Sequence, residues 1–384
     1  MTLRFHWFLP TASDGRSLVV GTHGTRGPAG GGPAPGQGGA NRFRPPDIEY
    51  LAQIARAAEG LGFEAVLTPT GTWCEDAWLV TAALLRETRR LKFLVAFRPG
   101  STSPTLAAQM ASTYQRVSGG RLVLNVVTGG ERDEQARFGD HLDKDRRYAR
   151  TDEFLTVVRG AWSGTPFDFT GEFYDVRGAT VLEPPSPVPD LYFGGSSPAA
   201  GPVAARHVQT YLTWGEPPAQ VAAKLDWVRG LAAAEGRELR CGIRFHVVAR
   251  DTSAEAWTAA ARLLDGLDPA QVAGAQRVLA ASESTSQARM RALHAGFRTS
   301  GRSRDLEVYP NVWSGVGLVR GGAGTALVGS HQEVADRIEE YAALGIEEFV
   351  LSGFPHLEEA YWVGEGVLPE LRRRGVAARL RTAG

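Results

Sequence analysis

One permanent cation, Arg320, sits in the run Asn311–Gly329, NVWSGVGLVRGGAGTALVG, which is otherwise apolar or glycine-rich. An isolated guanidinium on a closable loop suits the capture of a small anion away from water. A solvated arginine on a surface loop is the competing reading. GIRFHV reads as a strand, and its Arg244 and His246 are two apart, so they share a face. Two polar groups pointing into a barrel or its mouth must find partners. They act either as an anion ligand beside a titrating group or as a structural hydrogen-bond pair. Gly194-Gly195-Ser196-Ser197 follows another apolar run; small residues and hydroxyls there suit a phosphate, or simply a tight turn.

Other chemistry is missing from the chain. Cys74, in TGTWCEDAW, has no second Cys or His at zinc spacing, and HLEEAY is not a metalloprotease pattern, so no metal site is expected. There is no Walker loop, no G-x-S-x-G elbow, and no dinucleotide fingerprint opening the chain.

Positioning these residues requires elements that deliver them to one place. Short apolar runs at Leu3–Leu9, Ala65–Thr68, Lys92–Phe97, Leu122–Val127, Asp190–Phe193, Gln209–Thr213, Gly242–Val248 and Glu347–Leu351 alternate with helical segments. Eight such runs predict an α/β fold, a (β/α)8 TIM barrel with insertions. The helices carry their own punctuation. Asp47 and Gly62 bracket Ile48–Leu61, and Ser103-Pro104 and Gly119-Gly120 bracket Thr105–Val117. Ser330 and Glu333 form a capping-box pattern ahead of Val334–Leu344. In this register Pro10, Thr70, Cys74, Arg98, Asn125, Thr128, Gly195, Ser196, Trp214, Arg244, His246 and Ser352 all lie on or just after strands, where barrels build their sites. Two long connections, from Gly129 to Pro189 and from Arg250 to about Gly329, predict substrate-site insertions, with 285–329 as a lid region. Gly15–Pro46 is dense in Gly and Pro and reads as a mobile insertion into a single domain spanning 1–384.

The totals narrow the function further. With 384 residues, 43% hydrophobic, the chain can bury a large core. Its formal net charge is zero, which provides no field for nucleic acid or anionic lipid. Two cysteines and no signal peptide or membrane span point to a reduced, cytoplasmic protein.

The motifs HWFLPT, TPTG with CEDAW, LKFLVAFRPG, NVVTGG, LYFGGSS, YLTWGEPP, GIRFHV, LVRGGAGTALVG and SGFPHLEEAY occur in that order. Together they resemble the FMNH2-dependent alkanesulfonate monooxygenases of the bacterial-luciferase-like superfamily, over nearly the whole chain apart from Gly15–Pro46. The resemblance implies a two-component system. A separate NAD(P)H-dependent FMN reductase supplies FMNH2, and O2 is used to convert an alkanesulfonate to aldehyde and sulfite. It implies a homo-oligomer, a dimer or tetramer. It implies that Arg244 and Arg320 bind the sulfonate, that His246 is the acid–base group, that Tyr361 stabilises charge and that Cys74 assists near the flavin. It assigns Gly195, Ser196 and Tyr148 to the FMN phosphate, Asn125 and Thr128 to the ring, and Trp214 to the pocket wall. Ala12 and Trp73 depart from the family pattern, which has histidine and serine there, so substrate range is the property they bear on. Methanesulfonate, a sulfone or another small substrate, or a flavin-binding barrel without catalysis, are the alternatives.

Overall fold

The computed structural model describes residues 3–18, 43–265, 267–297 and 302–376. Eight parallel strands close on themselves: β1 (Arg4–Phe8), β2 (Ala65–Thr68), β3 (Lys92–Phe97), β4 (Leu122–Val126), β5 (Leu191–Phe193), β6 (Thr210–Trp214), β7 (Arg240–Arg250) and β8 (Glu348–Ser352). Each pairs with the next in sequence, and β8 pairs with β1 in the register Arg4 to Glu348 through Trp7 to Leu351. The expected TIM barrel is the observed fold.

Alternation along the strands separates two layers of core. Phe5, Trp7, Val66, Phe93, Val95, Leu124, Ile243 and Phe245 point outward and pack beneath the helices. Phe8, Leu67, Leu94, Val123, Tyr192, Leu212 and Val350 point inward and fill the middle of the lumen. The floor below them is polar. The fully buried Glu348 accepts hydrogen bonds from His6 Nε2 at 3.0 Å, Arg240 Nε at 3.0 Å, Thr210 Oγ1 at 3.3 Å and the Tyr192 hydroxyl. Burial alone would raise its pKa, but the hydrogen bonds from His6 and Tyr192 and the Arg240 charge hold it at about 2.

The sequence punctuation sets the surrounding helices. Asp47 caps Ile48–Leu61 through the Tyr50 N–H, and Gly62 ends it at φ 92°. Ser103 caps Pro104–Ser118, and Ser330 with Glu333 completes a capping box on His331–Ala343. Each of these helices orients the strand that follows it.

The structure lengthens one strand. β7 runs to Arg250, pairing with β8 over Gly242–His246 and then with Ala326–Ser330 over His246–Arg250. The end of the 285–329 region is therefore a strand docked on the barrel, which the glycines flanking TALVG conceal in the sequence. Of the Gly15–Pro46 excursion, residues 19–42 lie outside the described part. Its two ends meet as an antiparallel pair, Asp14 with Arg44 and Gly15 with Phe43. Among the described residues no helix is long and apolar enough to cross a membrane.

Candidate active site

The inward positions change character at the C-terminal ends of the strands. Arg98, Asn125, Gly194, Trp214, Arg244 and His246 replace the apolar residues of the lumen, and they open onto a cavity of about 260 Å³. Phe8, Leu67 and Leu212 form its base, and Pro69, Thr70 and Trp73, from the turn after β2, form one wall.

Two guanidiniums, those of Arg244 and Arg320, face this cavity. Neither Arg244 nor Arg320 makes an ion pair among the described residues. Arg244 lies over the Phe8 ring at 4.3 Å and Arg320 over the Phe354 ring at 4.6 Å, and the Arg244 Nε is buried with no acceptor among the described residues. Burial, and then the charge of Arg320, push Arg244 down to about 9. Burial pushes Arg320 down to about 10, partly offset by the charge of Asp14. Asp14 is already committed: it accepts from His356 Nδ1 at 2.9 Å, the His356 N–H at 2.8 Å and the Tyr50 hydroxyl at 2.5 Å. Buried cations that repel one another, with no ion-pair partner among the described residues, suit the binding of an anion.

His246 shares this face, but its ring is fully engaged. Its Nε2 lies 3.1 Å from the Ala323 carbonyl, which can only accept, so Nε2 carries the hydrogen. Nδ1 then accepts the Ser352 hydroxyl at 2.8 Å. Burial first, then Arg244, Arg320 and His356, hold its pKa well below the ordinary value. A lowered pKa favours the neutral imidazole, whose two nitrogens are held by Ala323 and Ser352.

The opposite wall has the character of a phosphate cradle. Gly194 and Gly195 follow β5. A Cβ at the first would stand 2.6 Å from the Leu212 carbonyl oxygen, and at the second 2.7 Å from the Ala200 Cβ. Ser196 Oγ pairs with Ser286 Oγ at 2.8 Å, joining the strand end to the helix Thr285–Ala292. Lys144, Ser284, Ser286 and Gln287 complete this wall with Tyr148, whose hydroxyl burial pushes up and keeps protonated. Thr128 Oγ1, Arg98 Nε and Nη1, and Gln287 Nε2 are buried with no partner among the described residues. Such orphaned polar atoms around a cavity are the mark of a ligand site.

A family profile described as luciferase-like monooxygenase matches residues 3–348. The chain belongs to that family. This member of the luciferase-like monooxygenase family also resembles several solved structures. Riboflavin lyase (RcaE), solved with modified FMN and riboflavin, superposes with a TM-score of 0.78 at 23% identity, covering 100% of this chain and 94% of that one. EDTA monooxygenase (EmoA) from Chelativorans sp. BNC1 gives 0.76 at 21% identity, covering 100% and 96%. DmoA from Hyphomicrobium sulfonivorans gives 0.77 at 20% identity, covering 100% and 90%. At these identities the likeness speaks for the barrel.

The structure brings Arg244, His246, Arg320, Asn125, Thr128, Tyr148, Gly195 and Trp214 to one cavity, with Ser196 immediately behind Ser286. It does not bring Tyr361 there. Tyr361 lies on the helix His356–Trp362, and 44% of its surface is exposed. The aromatic that meets both Arg320 and His246 is Phe354, just past β8, stacked on the imidazole at 5.1 Å. Tyr361 is seven residues further along, carried out to solvent by the helix. Cys74 does not line the cavity either: the turn directs Trp73 inward, while the thiol donates to the Gly71 carbonyl at 3.6 Å. Burial pushes the Cys74 pKa up to about 12, so it is not a thiolate nucleophile at neutral pH. Lys144, Ser284, Ser286, Gln287 and Phe354 were not among the expected site residues. The serine-rich run SESTS was the available signal for two of these, Ser284 and Ser286.

Proposed function

We propose that this luciferase-like monooxygenase uses FMNH2 and O2 to desulfonate a small alkanesulfonate, yielding aldehyde, sulfite, FMN and water. The observation that carries the proposal is the pair Arg244 and Arg320, two cations on one cavity with no ion-pair partner among the described residues. A sulfonate brings the negative charge that this pair lacks, and its oxygens can accept from both guanidiniums. A neutral substrate would leave the two cations uncompensated.

The second half of the cavity suits FMN. The Gly194-Gly195 turn allows close backbone approach, Ser196, Ser286 and Lys144 offer donors to the phosphate, and Thr128, Asn125 and Trp214 lie along the route inward. Bound as FMNH2, the flavin supplies the electrons that activate O2. The protein's residues hold the anion, orient it and exclude water. Arg244 is fixed on β7, and Arg320 enters from the segment that His246 ties down through Ala323. Trp73 and Phe8 bound the apolar remainder of the space. In this scheme a separate NAD(P)H-dependent reductase delivers FMNH2.

The test is sulfite release from C1 to C10 alkanesulfonates with FMN, NADPH, O2 and a general flavin reductase. Sulfite that requires both this protein and reduced flavin supports the proposal. No sulfite from any member, with flavin binding intact, moves the chemistry to another substrate.

A further inference from the structure

The segment carrying Arg320 is fastened at several points. Gln276 Nε2 donates to the carbonyls of Gly317 and Leu318, each at 2.9 Å. His246 donates to Ala323, Thr325 Oγ1 donates to the Gly215 carbonyl at 2.6 Å, and the Gly317 N–H donates to the Gly324 carbonyl at 2.8 Å. At each of these points both partners belong to the protein, so no ligand is needed to complete the contact.

Gln287 is different because its two ends face different things. Its Oε1 accepts the Gly322 N–H at 2.9 Å. A backbone N–H requires an acceptor, so this bond fixes which end of the amide is oxygen. Gly322 is at φ +87°, a conformation that glycine adopts freely, and it stands two residues from Arg320. The other end, Nε2, is buried with no partner among the described residues. Gln287 is 1% exposed, yet it lines the cavity beside Lys144, Ser284 and Ser286. A buried donor without an acceptor is a standing penalty, which an incoming oxygen removes.

We propose that Gln287 is a positioning residue that couples occupancy of the phosphate end of the cavity to the seating of Arg320. A phosphate oxygen accepts from Nε2 and fixes the side chain, and the fixed Oε1 holds Gly322 and therefore the guanidinium beside it. The coupling is reciprocal: a seated loop also strengthens retention of the phosphate. Its consequence is order, since the anion site is completed best when the cofactor end is filled. The inference rests on the flavin reading above, and its test separates the two.

Hydrogen exchange of the Gly321 and Gly322 amides in the full chain is the readout, with FMN, riboflavin or inorganic phosphate added, and flavin binding followed separately by fluorescence. In the wild type, FMN slows exchange at these amides about fivefold or more, millimolar phosphate reproduces part of the effect, and riboflavin does not. Gln287→Glu keeps an acceptor for Gly322 but removes the donor. Its exchange without ligand stays near wild type, while the FMN effect falls below about twofold. Gln287→Leu removes both ends and exchanges faster even without ligand. FMN that binds Gln287→Glu and slows exchange as in the wild type overturns the coupling, as does equal slowing by riboflavin. Failure of the wild type to bind FMN overturns the flavin reading itself, and this inference with it.

Discussion

Replacing Arg244 by methionine should make the protein more stable while removing its function. Burial, and then the charge of Arg320, bring the Arg244 pKa from its ordinary value down to about 9 in the fold. For a cation the sign is unfavourable: the folded state binds the proton less tightly than the unfolded chain, so the penalty is fully present below about pH 9 and fades as pH rises toward the ordinary arginine range. A shift of that size corresponds to about 5 kcal/mol. Water in the cavity screens part of it, and methionine forfeits the cation–π contact with Phe8, so the net gain is about 2 kcal/mol. For a chain of 384 residues the unfolding entropy is about 0.8 kcal/mol/K, which makes that gain a rise of about 2–3 °C in Tm. Differential scanning calorimetry at pH 7, with FMN present throughout, reads it. The same experiment with hexanesulfonate at about a hundred times its Kd should raise the wild-type Tm by about 3 °C. The double variant Arg244→Met, Arg320→Met should show no rise. A lower Tm for Arg244→Met, or a sulfonate-induced rise that survives in the double variant, would refute the reasoning that these cations are held uncompensated for an anion.

Three further outcomes follow from other parts of the structure. His246→Asn should leave the shape of the pH dependence of kcat/KM unchanged between pH 6 and 9, because the imidazole is neutral throughout, while losing the Ala323 anchor lowers kcat/KM about tenfold; disappearance of an inflection in that range would make His246 a titrating catalyst after all. Glu348→Gln should cost about 3 kcal/mol in urea unfolding at pH 7, since a carboxylate lowered from 4.5 to about 2 gives stability that is present above pH 4.5 and is lost as pH falls toward 2; the cost should shrink by pH 3, and a pH-independent difference would contradict the assignment. Trp73→Ser should move the optimum of the alkanesulfonate series to longer chains, because the indole forms a wall of the cavity; an unchanged optimum in the sulfite assay would place the chain elsewhere.

The barrel was legible because strand alternation and helix caps are local. Asp47, Ser103 and Ser330 each announce a helix whose first turn needs them, and each of the eight strand runs recurs in the closed sheet. The shared face of Arg244 and His246 followed from the same two-residue period. What chemistry each would do did not. His246 reads as a titrating group until Ser352 and Ala323, which are remote in sequence, occupy both its nitrogens. Tyr361 and Phe354 are both aromatics after the last strand, and only the direction of the helix His356–Trp362 separates them. Lys144, Ser284, Ser286 and Gln287 come from two insertions, and what places them is packing between those insertions, such as the Glu283 N–H on the Gly130 carbonyl at 2.9 Å. No local pattern encodes a contact of that kind.

The measurement that bears most directly on the two-arginine site is the ratio of kcat/KM for an alkanesulfonate to that for a neutral sulfone of the same length, in the wild type and in Arg244→Met, Arg320→Met. A charge-assisted pair of contacts in a desolvated cavity predicts a wild-type preference of about a hundredfold or more for the sulfonate, falling to near unity in the double variant. A wild type that turns over the sulfone as well as the sulfonate, or a preference that the double variant retains, would contradict an anion site built from Arg244 and Arg320.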